Sequence, residues 1–325
     1  MDLGKSIGLK MGKATRDAFG EALIEIGKEK PDFIVLDGDV ANSTRTEGFA
    51  KQFPDRFYSM GIAESNLVSV ASGMAAAGKT ALAASFAVFL LCNAYDQIRM
   101  GVAFPNLDVK LVGSHSGISI GEDGPSQMAI EDIALATSFP NMTVLVPADE
   151  PSTHAATRAM FEVEGPVYLR TGRPKVPLVY AHGNVQFEIG KANLLLDGSD
   201  LTIIACGIMV AAALEAADYL SNQGIRARVL DMHTIKPIDI AAVEQAARET
   251  GAIVTAEEHL LDGGLGAAVA RAAAATYPAP IEMVGIQDAY ARSGSPQELL
   301  EAFGLTKDSI IQAAQQVLGR KDNRR

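Results

Sequence analysis

The chain has 325 residues, 48% of them hydrophobic, with 30 glycines, no tryptophan and a formal net charge of −11. That length accommodates two or three domains with buried cores, and the acidic balance, with no cationic cluster longer than the terminal RKDNRR, excludes a non-specific nucleic-acid binder. No basic, apolar leader opens the chain and no apolar run approaches the ~20 residues of a membrane helix, so a cytoplasmic protein with no membrane partner is expected.

MDLGKSIGLKMG is a Gly-punctuated lead-in, expected to be partly extended. From Thr15, Ala18, Leu23 and Ile26 recur at helical spacing behind a capping hydroxyl, which predicts a helix over residues 15–28. DFIVLDGDV reads as a buried strand that hands Asp37 and Asp39 to a loop, and ANSTRTEGFAKQF as a polar loop running into a short helix. FYSM is a strand and IAESNLVSVASGMAAAG a helix stopped at Gly78. TALAASF is a third strand, and VFLLCNAYDQIRMGVAF is predicted to be one long apolar helix ended by Pro105. LDVKLVGSH (strand), GISIGEDGPSQ (loop), MAIEDIALATSF (helix), MTVLVPAD (strand), STHAATRAMFEV (helix) and GPVYLRTGR (strand) continue the alternation. Residues 12–175 are therefore expected to form a doubly wound α/β domain. The prolines, polar turns and hairpin-like stretch of residues 176–199 mark a linker. A second, smaller α/β domain is expected over residues 200–325, from LTIIACG to the helix TKDSIIQAAQQVLG. Cys92 and Cys206 lie in apolar company without metal-ligand spacing and are read as reduced and structural.

Chemistry-bearing residues concentrate between Tyr58 and Asp132. Glu64 falls in the first turn of its helix, where an acid favours the helix dipole. It also follows a strand-loop junction and precedes an apolar helix, a setting that suits a desolvated acid. Phe86 and Phe89 are either core or pocket lining. In the loop that follows, Gly113, Gly117, Gly121 and Gly124 let the backbone approach a ligand, while His115, Glu122, Asp123 and Gln127 supply polar groups. So many glycines and acids between buried strands are costly unless something uses them, so the loop is assigned to binding or chemistry. Elsewhere, DGGLGAAVA at 262–270 is neither a dinucleotide fingerprint nor a Walker sequence. The five histidines, His115, His154, His182, His233 and His259, lack short-range metal spacing, and no GxSxG elbow occurs. No metal ligand is assigned to this chain.

The segments RFYSMGIAESNLVSVASGMAAAG, ASFAVFLLCNAYDQIRM and GSHSGISIGEDGPSQMAIEDIA resemble those of transketolase, in particular its C-terminal half, which some prokaryotes encode as a separate subunit. The resemblance covers essentially the whole chain, and GEDGPSQMAxED is its most specific part. It implies the thiamine-diphosphate-enzyme pyrimidine-binding domain, a mostly parallel sheet with helices on both faces, followed by the transketolase C-terminal domain. Glu64 sits where the family has the glutamate that hydrogen-bonds N1′ of the thiamine aminopyrimidine and activates the cofactor. Phe89 matches the aromatic stacked on that ring, with Phe86 lining the pocket, and Asp39 matches an acid near the cofactor and the subunit contact. Gln127 stands where some members have histidine, and Cys92 where some have tyrosine.

His115, counted with Glu64 as catalytic, and Asp123 match residues that reach sugar hydroxyls or phosphate. Arg16 in KATRDAFGEAL and Arg170 in YLRTGRP match phosphate-binding arginines, Arg170 at the pocket rim with Arg173 assisting at the mouth. The alternative for each arginine is a surface salt bridge. The family's N-terminal domain carries a GDG followed downstream by Asn that holds Mg²⁺ and the cofactor diphosphate. No such sequence exists here, because GDV at 38–40 belongs to the pyrimidine half.

The resemblance therefore implies a subunit incompetent alone. Its cofactors would be thiamine diphosphate and Mg²⁺, the metal held mainly by a separate N-terminal transketolase subunit in a heterotetramer of two of each. The implied activity is transfer of a two-carbon ketol unit from a ketose phosphate to an aldose phosphate, in the pentose phosphate pathway. A transketolase specialised for an unusual catabolic sugar stays open. So does a related thiamine-dependent carboligase or 2-oxoacid dehydrogenase β-type subunit, although the latter matches the central loop poorly.

Overall fold

The computed structural model describes residues 2–183 and 185–322. Asn184, inside the expected linker, and residues 323–325, at the end of the expected second domain, lie outside the described residues. After a 3-10 turn at Lys5–Ile7, the lead-in becomes β1 (Met11–Ala14), followed by α1 (Thr15–Glu29), which buries Ala18, Phe19, Ala22, Leu23 and Ile26. Next come β2 (Phe33–Asp37), α2 (Ala41–Thr44), α3 (Glu47–Gln52), β3 (Phe57–Ser59), α4 (Glu64–Ala76) and β4 (Thr80–Phe86).

The expected long helix over residues 88–104 is not continuous. Two π-type stretches, Phe89–Asn93 and Ile98–Ala103, flank the single turn α5 (Tyr95–Gln97). The wider winding leaves carbonyls for other partners: Ser65 Oγ donates to Asn93 O at 2.8 Å, and Asn141 Nδ2 donates to Ala103 O at 3.1 Å. The first unit is completed by β5 (Val109–Ser114), α6 (Asp132–Ser138), β6 (Thr143–Leu145), α7 (Glu150–Met160) and β7 (Val167–Arg170). The rest of the chain supplies β8 (Lys175–Pro177), β9 (Asn193–Leu196), β10 (Leu201–Ala205), α8 (Met209–Ser221), β11 (Ala227–Asp231), β12 (Thr234–Lys236), α9 (Ile240–Glu249), β13 (Ile253–Leu260), α10 (Leu265–Ala275), β14 (Ile281–Ile286), α11 (Pro296–Ala302) and α12 (Lys307–Asp322).

The described residues form three sheets. The large one has the order β12-β6-β7-β5-β4-β2-β3 and is parallel except for β12. Its central strands are buried on both faces, which is why they read as unbroken apolar runs instead of alternating patterns. The second has the order β14-β13-β10-β11-β9, with β9 antiparallel at its edge. The stretch expected to be hairpin-like is not a hairpin: β8 pairs with β1 in a two-stranded ribbon, and β9 belongs to the second sheet.

The fold class is the expected one, an α/β unit with a mostly parallel sheet followed by a smaller α/β unit, but the two are interleaved. β12 crosses back to cover the edge of β6. One apolar cluster runs from Leu36, Leu67 and Ile98 to Leu230, Met232 and Val243. A second joins Ile118, Ile120 and Ile130 of the first unit to Leu201, Ile203 and Val254 of the second.

Candidate active site

Because β2, β3, β4, β5 and β7 run parallel, their carboxyl ends share one edge of the large sheet, the edge at which α/β folds bind ligands. Glu64 opens α4 there, only 5% exposed. Its Oε1 accepts a hydrogen bond from Ser85 Oγ at 2.9 Å, and its other oxygen has no hydrogen-bond partner among the described residues. Gly38 permits this approach, since a Cβ at that position would lie 3.0 Å from Ser85 Oγ and 3.6 Å from Glu64 Oε1. The turn after β2 is locked by Asp37, fully buried and accepting from Val40 N–H, Thr44 Oγ1 and Thr46 Oγ1 at 2.7, 2.7 and 2.8 Å. Burial nevertheless pushes its carboxyl above the usual range. Asp39 is exposed, holds a left-handed backbone at φ 66° and accepts from Ser59 Oγ at 3.3 Å.

Phe86 and Phe89 stack with centroids 5.9 Å apart and planes 9° from parallel. On its other side Phe86 stacks on the His115 ring at 3.9 Å. Arg16 Nη1 lies 2.9 Å from His115 Nε2, and Ser114 Oγ lies 2.9 Å from Nδ1. A guanidinium only donates, so Nε2 accepts and the ring proton sits on Nδ1, donated to Ser114 Oγ. Burial first, then the charges of Arg16, Arg173 and Arg45, push His115 down to about 3 and keep it neutral. His115 also holds φ 59°, a left-handed conformation that a non-glycine residue adopts at a cost and that marks functional segments. Contacts thus link Glu64 to Ser85, and Phe86 through His115 to Arg16, and the two sets meet in one row because Ser85 and Phe86 are consecutive residues at the end of β4.

At the far end of the row, Arg16 Nη1 also donates to Ser43 O at 3.2 Å, while its buried Nε has no partner among the described residues. Arg173 Nη1 donates to Ile120 O at 2.7 Å and lies 3.5 Å from Asp123 and 3.6 Å from Glu122. Gln127 is half-buried in the 3-10 turn Pro125–Gln127.

Arg170 requires a correction. Expected at the pocket rim, it is instead buried, with Nε and Nη2 on Asp132 at 2.7 and 3.1 Å and Nη2 also donating to Ala129 O and Glu258 O. Burial pushes Asp132 up, but the Arg170 charge and hydrogen bonds outweigh it and hold that carboxyl below the usual range. With Nε and Nη2 so committed, only Nη1 is left without a hydrogen bond among the described residues, beside the cavity lined by Thr15, Ser116 and Glu258, and the more exposed cation is Arg173 of TGR, 36% exposed.

Ser85 and Arg45 were not singled out in the sequence. Arg45 takes a left-handed backbone, pairs with Asp17 and donates to Asn42 O, one carbonyl before the one held by Arg16. Nothing in NSTRT signals that turn. Cys92, expected in apolar surroundings, is exposed, and partial burial together with Glu131 pushes its thiol up to about 11, which disfavours the thiolate. Among the described residues no group of three or more His, Cys, Asp and Glu is placed to hold a metal, and no helix is long and apolar enough to cross a membrane.

Comparison with known proteins finds two family models on the chain: transketolase, pyrimidine binding domain over residues 11–179, and transketolase, C-terminal domain over residues 190–310. The chain is 40% identical over 309 residues to the 6-deoxy-6-sulfo-D-fructose transketolase subunit SqwH of a Clostridium species, covering 95% of this chain and 96% of that one. It is 42% identical over 304 residues to the transketolase of Homo sapiens, covering 92% of this chain but 48% of that protein. The chain thus spans about half the length of the full-size relative and nearly all of the subunit. Among solved structures, a "Split gene transketolase, inactive beta4 tetramer" superposes with a TM-score of 0.89 at 48% identity, covering 95% of this chain and 100% of that one.

Proposed function

The chain belongs to the transketolase family, and on that footing we propose that it is the C-terminal subunit of a split transketolase, moving a two-carbon ketol unit from a ketose phosphate to an aldose phosphate once a partner subunit completes its site. The observation that carries this reading is the contact row from Glu64 to Arg16: a buried acid, an aromatic wall, a neutral imidazole and a cation in sequence.

Thiamine diphosphate fits that row on two counts. Among the described residues Glu64 keeps one carboxyl oxygen without a hydrogen bond in an otherwise buried position, and the near-parallel rings of Phe86 and Phe89 offer an apolar face to a planar heterocycle. When bound, the cofactor supplies the nucleophilic carbon that cleaves the ketose. Glu64, oriented by Ser85, holds a proton for a ring nitrogen. His115 is neutral with Nε2 as its acceptor, so it accepts a hydrogen bond from a sugar hydroxyl when Arg16 turns to the substrate anion. Arg16 and Arg173 hold the phosphate, for which their forks suit its oxygens, and Asp123 accepts from a hydroxyl near the mouth. Asp39 and Gln127 border the cofactor side.

The diphosphate and Mg²⁺ are given to the N-terminal partner, because the GDG and downstream Asn that hold them in the family do not occur in this sequence. A heterotetramer of two of each subunit fits that division. The solved relative, an inactive β4 tetramer, supports a chain that assembles without turning over by itself. A second reading, a transketolase for an unusual catabolic sugar, is favoured by the name of the Clostridium relative, since Arg16 and Arg173 suit a sulfonate as well as a phosphate. The experiment is co-purification with the N-terminal subunit of the same genome, then two-carbon transfer with thiamine diphosphate, Mg²⁺ and a panel of phosphorylated and sulfonated ketoses. Full turnover by the chain alone would overturn the split-site reading.

A further inference from the structure

Glu258 lies in β13 of the second unit, 5% exposed, yet its carboxyl serves the first: Oε1 accepts the backbone N–H of Ser119 at 2.6 Å. The loop is cut to admit it. A Cβ at Gly117 would overlap the Glu258 carboxyl, and Gly117 sits at φ 75° besides. Other parts of the second unit brace the same loop. Ser293 Oγ would be 2.6 Å from a Cβ at Gly124, and Pro296 would be 3.1 Å from one at Gly121. Ile118 and Ile120 are buried in the apolar cluster shared with β10 and β13. The first unit contributes the bonds of Ser116 N–H to Thr171 O and Gly117 N–H to Ala129 O, together with Arg173 to Ile120 O. His115 and Asp123 stand at the two ends of this segment.

We propose that Glu258 is a positioning residue for the sugar-phosphate channel: by holding Ser119 N–H it fixes residues 115–124 so that His115 and Asp123 face the substrate. The second unit is then part of the substrate site. This rests on the reading of the loop as a sugar-phosphate channel. The positioning itself is measurable without it.

Glu258→Ala removes the acceptor and Glu258→Gln keeps one, so the pair separates the contact from the charge. In the full chain alone, amide hydrogen exchange over residues 115–124 is expected to be about tenfold faster in Glu258→Ala and within about threefold of wild type in Glu258→Gln. In the assembled enzyme, with thiamine diphosphate, Mg²⁺, a ketopentose 5-phosphate and an aldopentose 5-phosphate, Glu258→Ala raises KM about tenfold with kcat within about threefold, and Glu258→Gln restores KM. Gly117→Ala attacks the same contact from the loop side and gives the same pattern. Glu257→Gln is the control: that adjacent buried acid accepts from Leu265 and Gly266 N–H at the start of α10. It is expected to change neither readout. Unchanged exchange in Glu258→Ala, or equal effects from Glu257→Gln, overturns the proposal. If wild-type assembly fails to transfer two carbons, the sugar-phosphate reading falls, and the exchange comparison still decides whether Glu258 holds the loop.

Discussion

Replacing Arg170 by alanine separates two roles that the sequence alone left merged. The substitution strands Asp132, 1% exposed, which loses bonds of 2.7 and 3.1 Å and keeps the Tyr168 hydroxyl at 2.7 Å. It also strips the carbonyls of Ala129 and Glu258 of a donor. Breaking a buried pair from one side costs about 3–5 kcal/mol, and at roughly 2–4 °C per kcal/mol for a domain of this size the melting temperature should fall by about 6–20 °C. Thermal unfolding of the chain alone, followed by circular dichroism, measures this. The loss has a pH signature. The folded pKa of Asp132 is depressed, so its contribution is present above the unfolded carboxylate range and is lost as pH falls through the folded value. The gap between wild type and variant is therefore widest near neutrality and narrows in acid. In the assembled enzyme, KM for phosphorylated and unphosphorylated sugars should change alike. Arg173→Ala should do the reverse, shifting stability by less than about 1 kcal/mol and raising KM for phosphorylated sugars about tenfold. A stable Arg170→Ala enzyme with a selective defect for phosphorylated substrates would refute the assignment.

Glu64→Gln keeps an acceptor for Ser85 and removes the acid, so the chain should fold normally while proton exchange at the reactive thiazolium carbon, followed by NMR in the assembled enzyme, slows by at least about 100-fold. His115 is held neutral well below its unfolded value, so stability is full above pH ~6.5 and is lost on acidification toward about 3; His115→Asn should flatten urea-derived stability between pH 7 and pH 5 by about 2 kcal/mol. Asp231, buried with one oxygen on Tyr180 and the other unpartnered among the described residues, is pushed up to about 7 by burial. Its favourable contribution is present below the unfolded carboxylate value and is lost as pH rises through 7, so Asp231→Asn should be more stable than wild type at pH 8 by on the order of 3 kcal/mol, with no gain near pH 4.

The alternation of strands and helices was legible because each central strand is an apolar run between turn residues, as in TALAASF, and each helix carries its own stop, as at Gly78. Glu64, Phe86, Phe89 and His115 were legible as candidates, and the structure brings them into one row. What the sequence could not show was direction. Arg170 and Arg173 are both cations in LRTGR, but Arg170 is the last residue of β7 and turns inward to Asp132, whereas Arg173 lies in the bend beyond the strand and stays at the mouth. The break in the helix after Phe89 was hidden for a related reason: FLLCNAYDQI carries no Pro or Gly, and the partners of the freed carbonyls, Ser65 and Asn141, are distant in sequence.

The crossing of β12 onto β6 has a consequence for how this chain tolerates cutting. A linker in sequence usually marks a place where two halves part, and residues 176–199 look like one. Severed there, the first half would keep β6 with a bare row of N–H and C=O groups, a template for adding strands from other molecules, and it would lose the floor beneath Ile118 and Ile120. The two units share one border in both directions, so proteolytic nicking in the linker should leave the fragments associated, while expression of either fragment alone should yield aggregates.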